Sequence, residues 1–291
     1  MSQTTYDAVT FRITEALQKG VVPWRKPWNL NASSPCNGFS GRLYRGINVF
    51  LLSCTSFRDH RWLTFRQARE LGGYVRPGES SSIAVFWKRW EAKPEEADAE
   101  SWEAAARTIP ILRHYHVFNL EQTEDVKIAP LDIPPPINPD ERIERAQALA
   151  RAMADGPEID ENCRAAWYRP DQDLVGMPPF ESFKSADAFY STLFHELGHA
   201  TGHEKRLHRK GVMGTIQFGS ETYGHEELVA ELASAYCCSS IGLDNSLEEN
   251  SASYIHNWLK AIKANPKAMV IAAAQAQKAA DLIRGVATIE A

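Results

Sequence analysis

The chain has 291 residues, 44% hydrophobic and 24% charged, with eight tryptophans. That composition lies outside the disordered, collagen-like and membrane-spanning classes, and the length suits one large domain or two ordinary ones, each able to bury a core. The formal net charge of −5 conceals an asymmetry: residues 1–90 carry 13 Lys or Arg against 5 Asp or Glu, a net +8, and the remainder carries 19 against 32, a net −13. A basic first third suits a polyanionic partner, because Lys and Arg that neutralise phosphates release counterions on binding. No apolar run reaches the roughly 18–20 residues of a spanning helix; the nearest, Ala268 to Ala280, is interrupted by Gln275, Gln277 and Lys278. The first twenty residues lack a basic stretch followed by an apolar one, so a cytoplasmic chain with no membrane partner is expected. Five cysteines, odd in number and without CxxC spacing, argue against a disulfide framework and against a thiolate zinc knuckle.

In chain order, Val9, Ile13 and Leu17 recur every fourth residue and predict a helix ended by Gly20. The loop PWRKPWNLNASSPCNGFSG follows, then LYRGINVFLLSC, then RWLTFRQARELGG, whose spacing and double Gly suit a short capped helix. SSIAVFWKRW and TIPILRHYHVFNL read as strands that pair, with an Ala- and Glu-rich insertion at 91–107 between them. Prolines 130, 134, 135, 136 and 139 mark a stiff connector and the domain boundary. Asn138 as N-cap, Pro139 at the first helical position and Asp140 and Glu141 beside it open the next helix, which Gly156 ends. AAWYRP and DQDLVGMPP are short strands, and two further helices close the chain, the last between Asn265 and Gly285.

SADAFYSTLFHELGHATGH contains His195, Glu196 and His199 in the HExxH pattern, on a helix opened by Ser185 with Asp187 in its first turn. One turn separates the two histidines, so both imidazoles leave the same face and can hold one zinc ion at about 2.0–2.1 Å. Glu196, next to the first ligand, is placed to act as general base toward water. An open hydrolytic site needs a third protein ligand. His203 lies a further turn along the rod, too far to join the other two, and a histidine two residues on would be needed where Lys205 stands. YGHEELVAELASAY offers Glu227 and Glu231 on one face. Glu227 is taken as the ligand and Glu231 as the carboxylate that hydrogen-bonds a ligating imidazole, with the reverse assignment as the alternative. Glu226 points about 100° away and is expected in solvent. Zinc suits this donor set best; imidazole and carboxylate also accept manganese, cobalt or nickel.

Single strands of nucleic acid are held by positive grooves together with aromatic rings that stack on bases. The first third interleaves both: Trp24, Arg25, Lys26 and Trp28; Arg42, Tyr44 and Arg45; Arg66, Arg69 and Arg76; and Lys88. Trp62 and Trp87 sit beside apolar residues and are expected in the core, whereas Trp24 and Trp28, in a polar loop, are the better stacking rings. Asn48 is placed either to bond a base edge or to satisfy backbone.

HELGHATGHEKRL followed by EELVAEL resembles the zincin-like domain of the ArdC family of plasmid antirestriction proteins, distant relatives of peptidases with a glutamate third ligand. PWRKPW, YRGIN and WLTFRQARELGGYVRPGE are similar to the N-terminal domain of that family, found also on plasmid conjugative primases. The resemblance covers nearly the whole chain apart from the insertion and the connector. It implies a single-stranded-DNA-binding domain followed by a metallopeptidase-like domain, and a role in helping incoming conjugative DNA evade restriction, with a host restriction component among the possible protein partners. The fold expected is therefore α+β in two domains: a small basic α/β DNA-binding module at 1–125, the proline-rich linker at 126–138, and a mainly helical zincin-like module at 139–291. The alternative to a peptidase is a DNA-binding protein whose metal centre is structural. A zincin further needs an edge strand for an extended substrate, for which DLVGMPP is taken, and an oxyanion-stabilising group, for which Tyr223 and His225 lie nearest, although loop residues without a catalytic role are the commoner outcome.

Overall fold

A computed structural model of the chain describes residues 4–25, 34–91, 108–131, 137–213, 221–244, 258–260 and 262–286. Helix α1 (Thr5–Gln18) is opened by a capping box in which Thr4 and Asp7 satisfy each other's backbone N–H groups, and it buries Val9, Ile13 and Leu17. Strand β1 (Cys36–Asn37) leads to α2 (Ile47–Ser53), whose Ile47, Val49, Phe50, Leu51 and Leu52 are all buried. After β2 (Arg61–Leu63), a Thr64–Gln67 capping box opens α3 (Phe65–Glu70). Strands β3 (Tyr74–Val75), β4 (Ser82–Glu91), β5 (Thr108–Asn119) and β6 (Thr123–Glu124) complete this half. The four-stranded sheet runs β1-β2-β5-β4, with β4 and β5 as one long antiparallel ribbon in register from Ser82↔Val117 to Glu91↔Thr108. Most of the insertion, residues 92–107, and connector residues 132–136 lie outside the described residues.

The second half begins with α4 (Pro139–Arg151), capped by Asn138 and started by proline. A small sheet of β7 (Glu158–Asp160), β8 (Trp167–Arg169) and β9 (Leu174–Gly176) follows in the order β7-β9-β8. The strand in DLVGMPP is therefore central, hydrogen-bonded on both sides, and has no free edge to offer a substrate. Helices α5 (Ala186–Ala200), α6 (Glu221–Ile241) and α7 (Ala268–Ile283) pack as a bundle, with α6 between the other two.

The main core runs through both halves. Val9, Ile13, Trp24, Phe50, Ile83 and Leu112 belong to the same buried cluster as Phe194, Leu232, Tyr236 and Ala273. Trp24 is fully buried, edge-on to Trp258 at 5.1 Å, and Phe50 stacks on Tyr236 at 4.8 Å. Polar contacts reinforce the junction: Arg45 pairs with buried Asp281 of α7, and the Gly46 N–H donates to Gln277 of the same helix at 3.0 Å. A second, smaller cluster, Leu52, Trp62, Ala84 and Val117, sits on the other side of the sheet. No disulfide joins the five cysteines, and among the described residues no helix is long and apolar enough to cross a membrane.

Candidate metal centre

The α5 N-cap is Ser185, which accepts a hydrogen bond from the Ala188 N–H. Ten residues further on, the helix delivers His195, Glu196 and His199 against α6. The two helices approach closely at Gly198, where a Cβ would stand 3.0 Å from the Ala230 Cα. That crossing sets Glu227 opposite the two histidines: His195 Nε2 lies 3.6 Å from Glu227 Oε2 and His199 Nε2 lies 3.6 Å from Glu227 Oε1. One ligand atom from each of the three residues falls within 4.8 Å of the others. Tetrahedral donors about 2.0–2.1 Å from an ion are about 3.4 Å apart, so two nitrogens and a carboxylate at this spacing fit a divalent metal with one position left open.

Electrostatics agree with that fit. Burial depresses the His195 imidazole, but Glu227, Glu231 and Glu196 around it outweigh burial and hold it at about 9. Glu227 is pushed up by burial yet ends below the usual carboxylate range, because His195, His199 and the Tyr223 hydroxyl favour its anion. Glu196 is itself buried, and desolvation raises it against the pull of the two histidines. The carboxylates that favour a proton on His195 equally favour a metal cation in its place once that proton leaves.

Around the three donors the arrangement departs from the sequence expectation at several residues. Glu226 is buried rather than solvated: its Oε1 lies 3.4 Å from His199 Nδ1, and both its oxygens accept from the Arg209 guanidinium, Oε2 at 3.0 Å. Arg209 also donates to the Thr201 hydroxyl and the Gly198 carbonyl, each at 2.7 Å, and so ties the segment after α5 to both helices. The carboxylate facing His199 Nδ1 is thus Glu226, while Glu231 acts on His195 through its charge. Glu231 is held instead by Arg25, Nη2 to Oε1 at 2.6 Å, and Arg25 lies over the Trp258 ring at 5.5 Å. His203 is buried, 3.9 Å from Asp173, and takes no part in the donor cluster. Tyr223 reaches Glu227, whereas His225 is engaged by Gln275 of α7 at 3.0 Å.

The residues expected to meet DNA divide sharply. Trp24 has no exposed face for a base, and Arg25 is buried in its pair with Glu231, so neither is available for stacking or phosphate. Lys26 and Trp28 lie outside the described residues. Asn48 exchanges two hydrogen bonds with the Val85 backbone, at 2.8 and 2.7 Å, and is a strut between α2 and β4 rather than a base reader. Arg45 is committed to Asp281, Arg66 to Glu70 and Arg76 to Glu79. Arg42 and Lys88 are exposed, Arg69 lies over the Phe65 ring, and Tyr44 packs against the second cluster. Trp62 is buried as expected, but Trp87 is 48% exposed.

Comparison with known proteins accounts for both halves. Residues 3–118 match the family described as the N-terminal domain of anti-restriction factor ArdC, and residues 144–275 match the zincin-like metallopeptidases. The crystal structure of the antirestriction protein ArdC from the R388 plasmid, in its metal-free form, superposes with a TM-score of 0.74 at 34% identity over 96% of each chain; the Mn(II)-bound form gives 0.73. An uncharacterized protein of Sinorhizobium fredii, y4eC, is 36% identical over 95% of this chain and 90% of its own. The DNA primase TraC of Escherichia coli is 33% identical over 96% of this chain, which spans only 20% of one form of that protein and 27% of another. With its N-terminal ArdC domain, its zincin-like domain and a donor cluster suited to a divalent metal, the chain belongs to the ArdC family of antirestriction proteins.

Proposed function

We propose that this protein binds single-stranded DNA through its N-terminal half, carries a zinc-dependent peptidase site in its C-terminal half, and protects incoming conjugative plasmid DNA from host restriction in the cytoplasm. The observation that carries the peptidase reading is the convergence of His195, His199 and Glu227 with Glu196 buried beside them, since a purely structural site needs no base. When bound, the metal supplies Lewis acidity toward a scissile carbonyl. The chain's own residues do the rest. Glu196 takes a proton from water and passes it to the leaving amine, while Glu226 and Arg209 fix the His199 ring and the Tyr223 hydroxyl orients Glu227. Zinc is the expected ion; manganese, present in the R388 relative, is the alternative for this donor set.

The test is a proteolysis screen of the purified, metal-loaded protein against host restriction components, wild type beside Glu196→Gln. Cleavage by the wild type and none by the variant supports the peptidase. A metallated wild type that cleaves nothing yet still protects DNA in a transfer assay gives the centre a structural role.

A further inference from the structure

We infer that the outer face of the β4–β5 ribbon, built from Phe86, Lys88, Arg113 and Tyr115, is the platform on which single-stranded DNA stacks. This rests on the DNA-binding reading above and gives it a place. In an antiparallel pair, residues directly opposite share a face and alternate residues along a strand return to it. The register sets Ala84 opposite Tyr115 and Phe86 opposite Arg113. Lys88, two residues beyond Phe86, is on that same side. The opposite face carries Ile83, Val85 and Leu112, which are buried in the main core, so the ribbon's inner side is fixed by packing.

On the outer side, the near end is covered: Ala84 and Val117 lie under Leu52 and Trp62, with Tyr44 and Tyr115 packed against them. Beyond that, no described residue further along the ribbon belongs to the cluster that covers this face. Phe86 is 43% exposed and edge-on to Tyr115 at 5.7 Å, and Lys88 and Arg113 are exposed on either side of it. What sets Phe86 apart from the other exposed rings is its place on a ribbon face with an aromatic neighbour and two cations beside it.

Charge selects the partner. Arg25, Arg45 and Arg61 are each paired with a largely buried carboxylate, whereas neither Lys88 nor Arg113 forms an ion pair among the described residues. Cations flanking an exposed aromatic ring match a strand whose bases are unpaired and whose phosphates run alongside. Duplex DNA hides its base faces and leaves the rings unused.

The test uses the full chain and a fluorescein-labelled oligothymidylate of about 20 nucleotides, with anisotropy read across a salt series and a duplex of equal length as competitor. Phe86→Ala is expected to weaken binding about ten-fold without changing the salt slope, as loss of one stack does. Lys88→Ala with Arg113→Ala is expected to flatten the slope by about 1.4, two phosphates at about 0.7 each. Trp87→Ala, an equally exposed aromatic on the opposite face, is expected to bind as wild type. All variants should keep the wild-type melting temperature and metal content, because the changed side chains are exposed. If the wild type binds and the ribbon variants bind equally well, or Trp87→Ala weakens binding as much as Phe86→Ala, the platform is elsewhere and only this inference falls. If the wild type binds no single strand, the DNA-binding reading falls with it. A wild-type dimer in sedimentation that Phe86→Ala converts to monomer gives the face to a second copy and overturns the inference.

Discussion

Replacing Glu226 by alanine would leave the Arg209 guanidinium buried without its carboxylate, the kind of loss that costs about 3–5 kcal/mol. The same change frees the His199 ring, so metal affinity should fall about 10–100-fold. Urea unfolding and metal titration read the two effects separately; Glu226→Ala with wild-type stability would mean that Arg209 finds another partner. The ligands behave differently. His195→Ala and Glu227→Ala should empty the site in elemental analysis, whereas Glu196→Gln, which removes no donor, should retain metal. Retention by Glu227→Ala and loss by Glu231→Ala would move the third ligand one turn along α6. His195 and His199 are legible because i, i+4 spacing alone brings both to one face of α5, whereas the approach of Glu227 depends on how α6 crosses α5. Glu226 was misread for the same reason: angular offset from Glu227 was equated with solvent, but α6 is packed on several sides, and its far side faces Arg209. Nothing in local spacing announces Arg209, since its role depends on the path of the chain after α5.

Among the elements, the contact between α5 and α6 carries the site, and it depends on Gly198 having no side chain. A Cβ there would meet Ala230 backbone at 3.0 and 3.3 Å, and backbone cannot swing aside as a flexible side chain can. Gly198→Ala should therefore spread the helices by a few tenths of an ångström, lowering the melting temperature and weakening metal binding while keeping the circular dichroism of a helical protein. Unchanged metal affinity would show that Glu227 reaches the histidines from a wider crossing. Element positions are largely legible: Ser185 and Asn138 cap helices through side-chain oxygens, and the paired strands are rich in β-branched and aromatic residues. Sheet order is not. DLVGMPP has the length of an edge strand, and only its neighbours on both sides make β9 central. The ribbon shows the same limit, because Phe86 and Trp87 are adjacent aromatics whose faces are decided by what packs beneath them.

At the scale of the whole molecule, charge and composition divide the chain at the connector, yet the core does not divide there. The polar, proline-containing loop makes Trp24 and Arg25 read as exposed, but they are the residues that reach across, Trp24 to Trp258 and Arg25 to Glu231, four residues after Glu227 on the same helix. Arg45 makes a second crossing to Asp281. Two halves that share buried surface and ion pairs lose both when either unfolds, so unfolding should be a single transition by calorimetry. Metal bound at the α5–α6 site then stabilises the N-terminal half as well. At a free metal concentration a hundred times the dissociation constant the gain is about 2.7 kcal/mol, and hydrogen exchange should report it equally for the amides of Val117 in β5 and Leu232 in α6 where exchange proceeds by global unfolding. Chelation should remove both gains together. Two transitions, with only the one reported by α6 shifted by metal, would mean that the junction is too weak to couple the halves. Arg25→Ala offers the sharper version of the same measurement: it strands the Glu231 carboxylate in the interior, and the protection lost at Val117 should then equal that lost at Leu232.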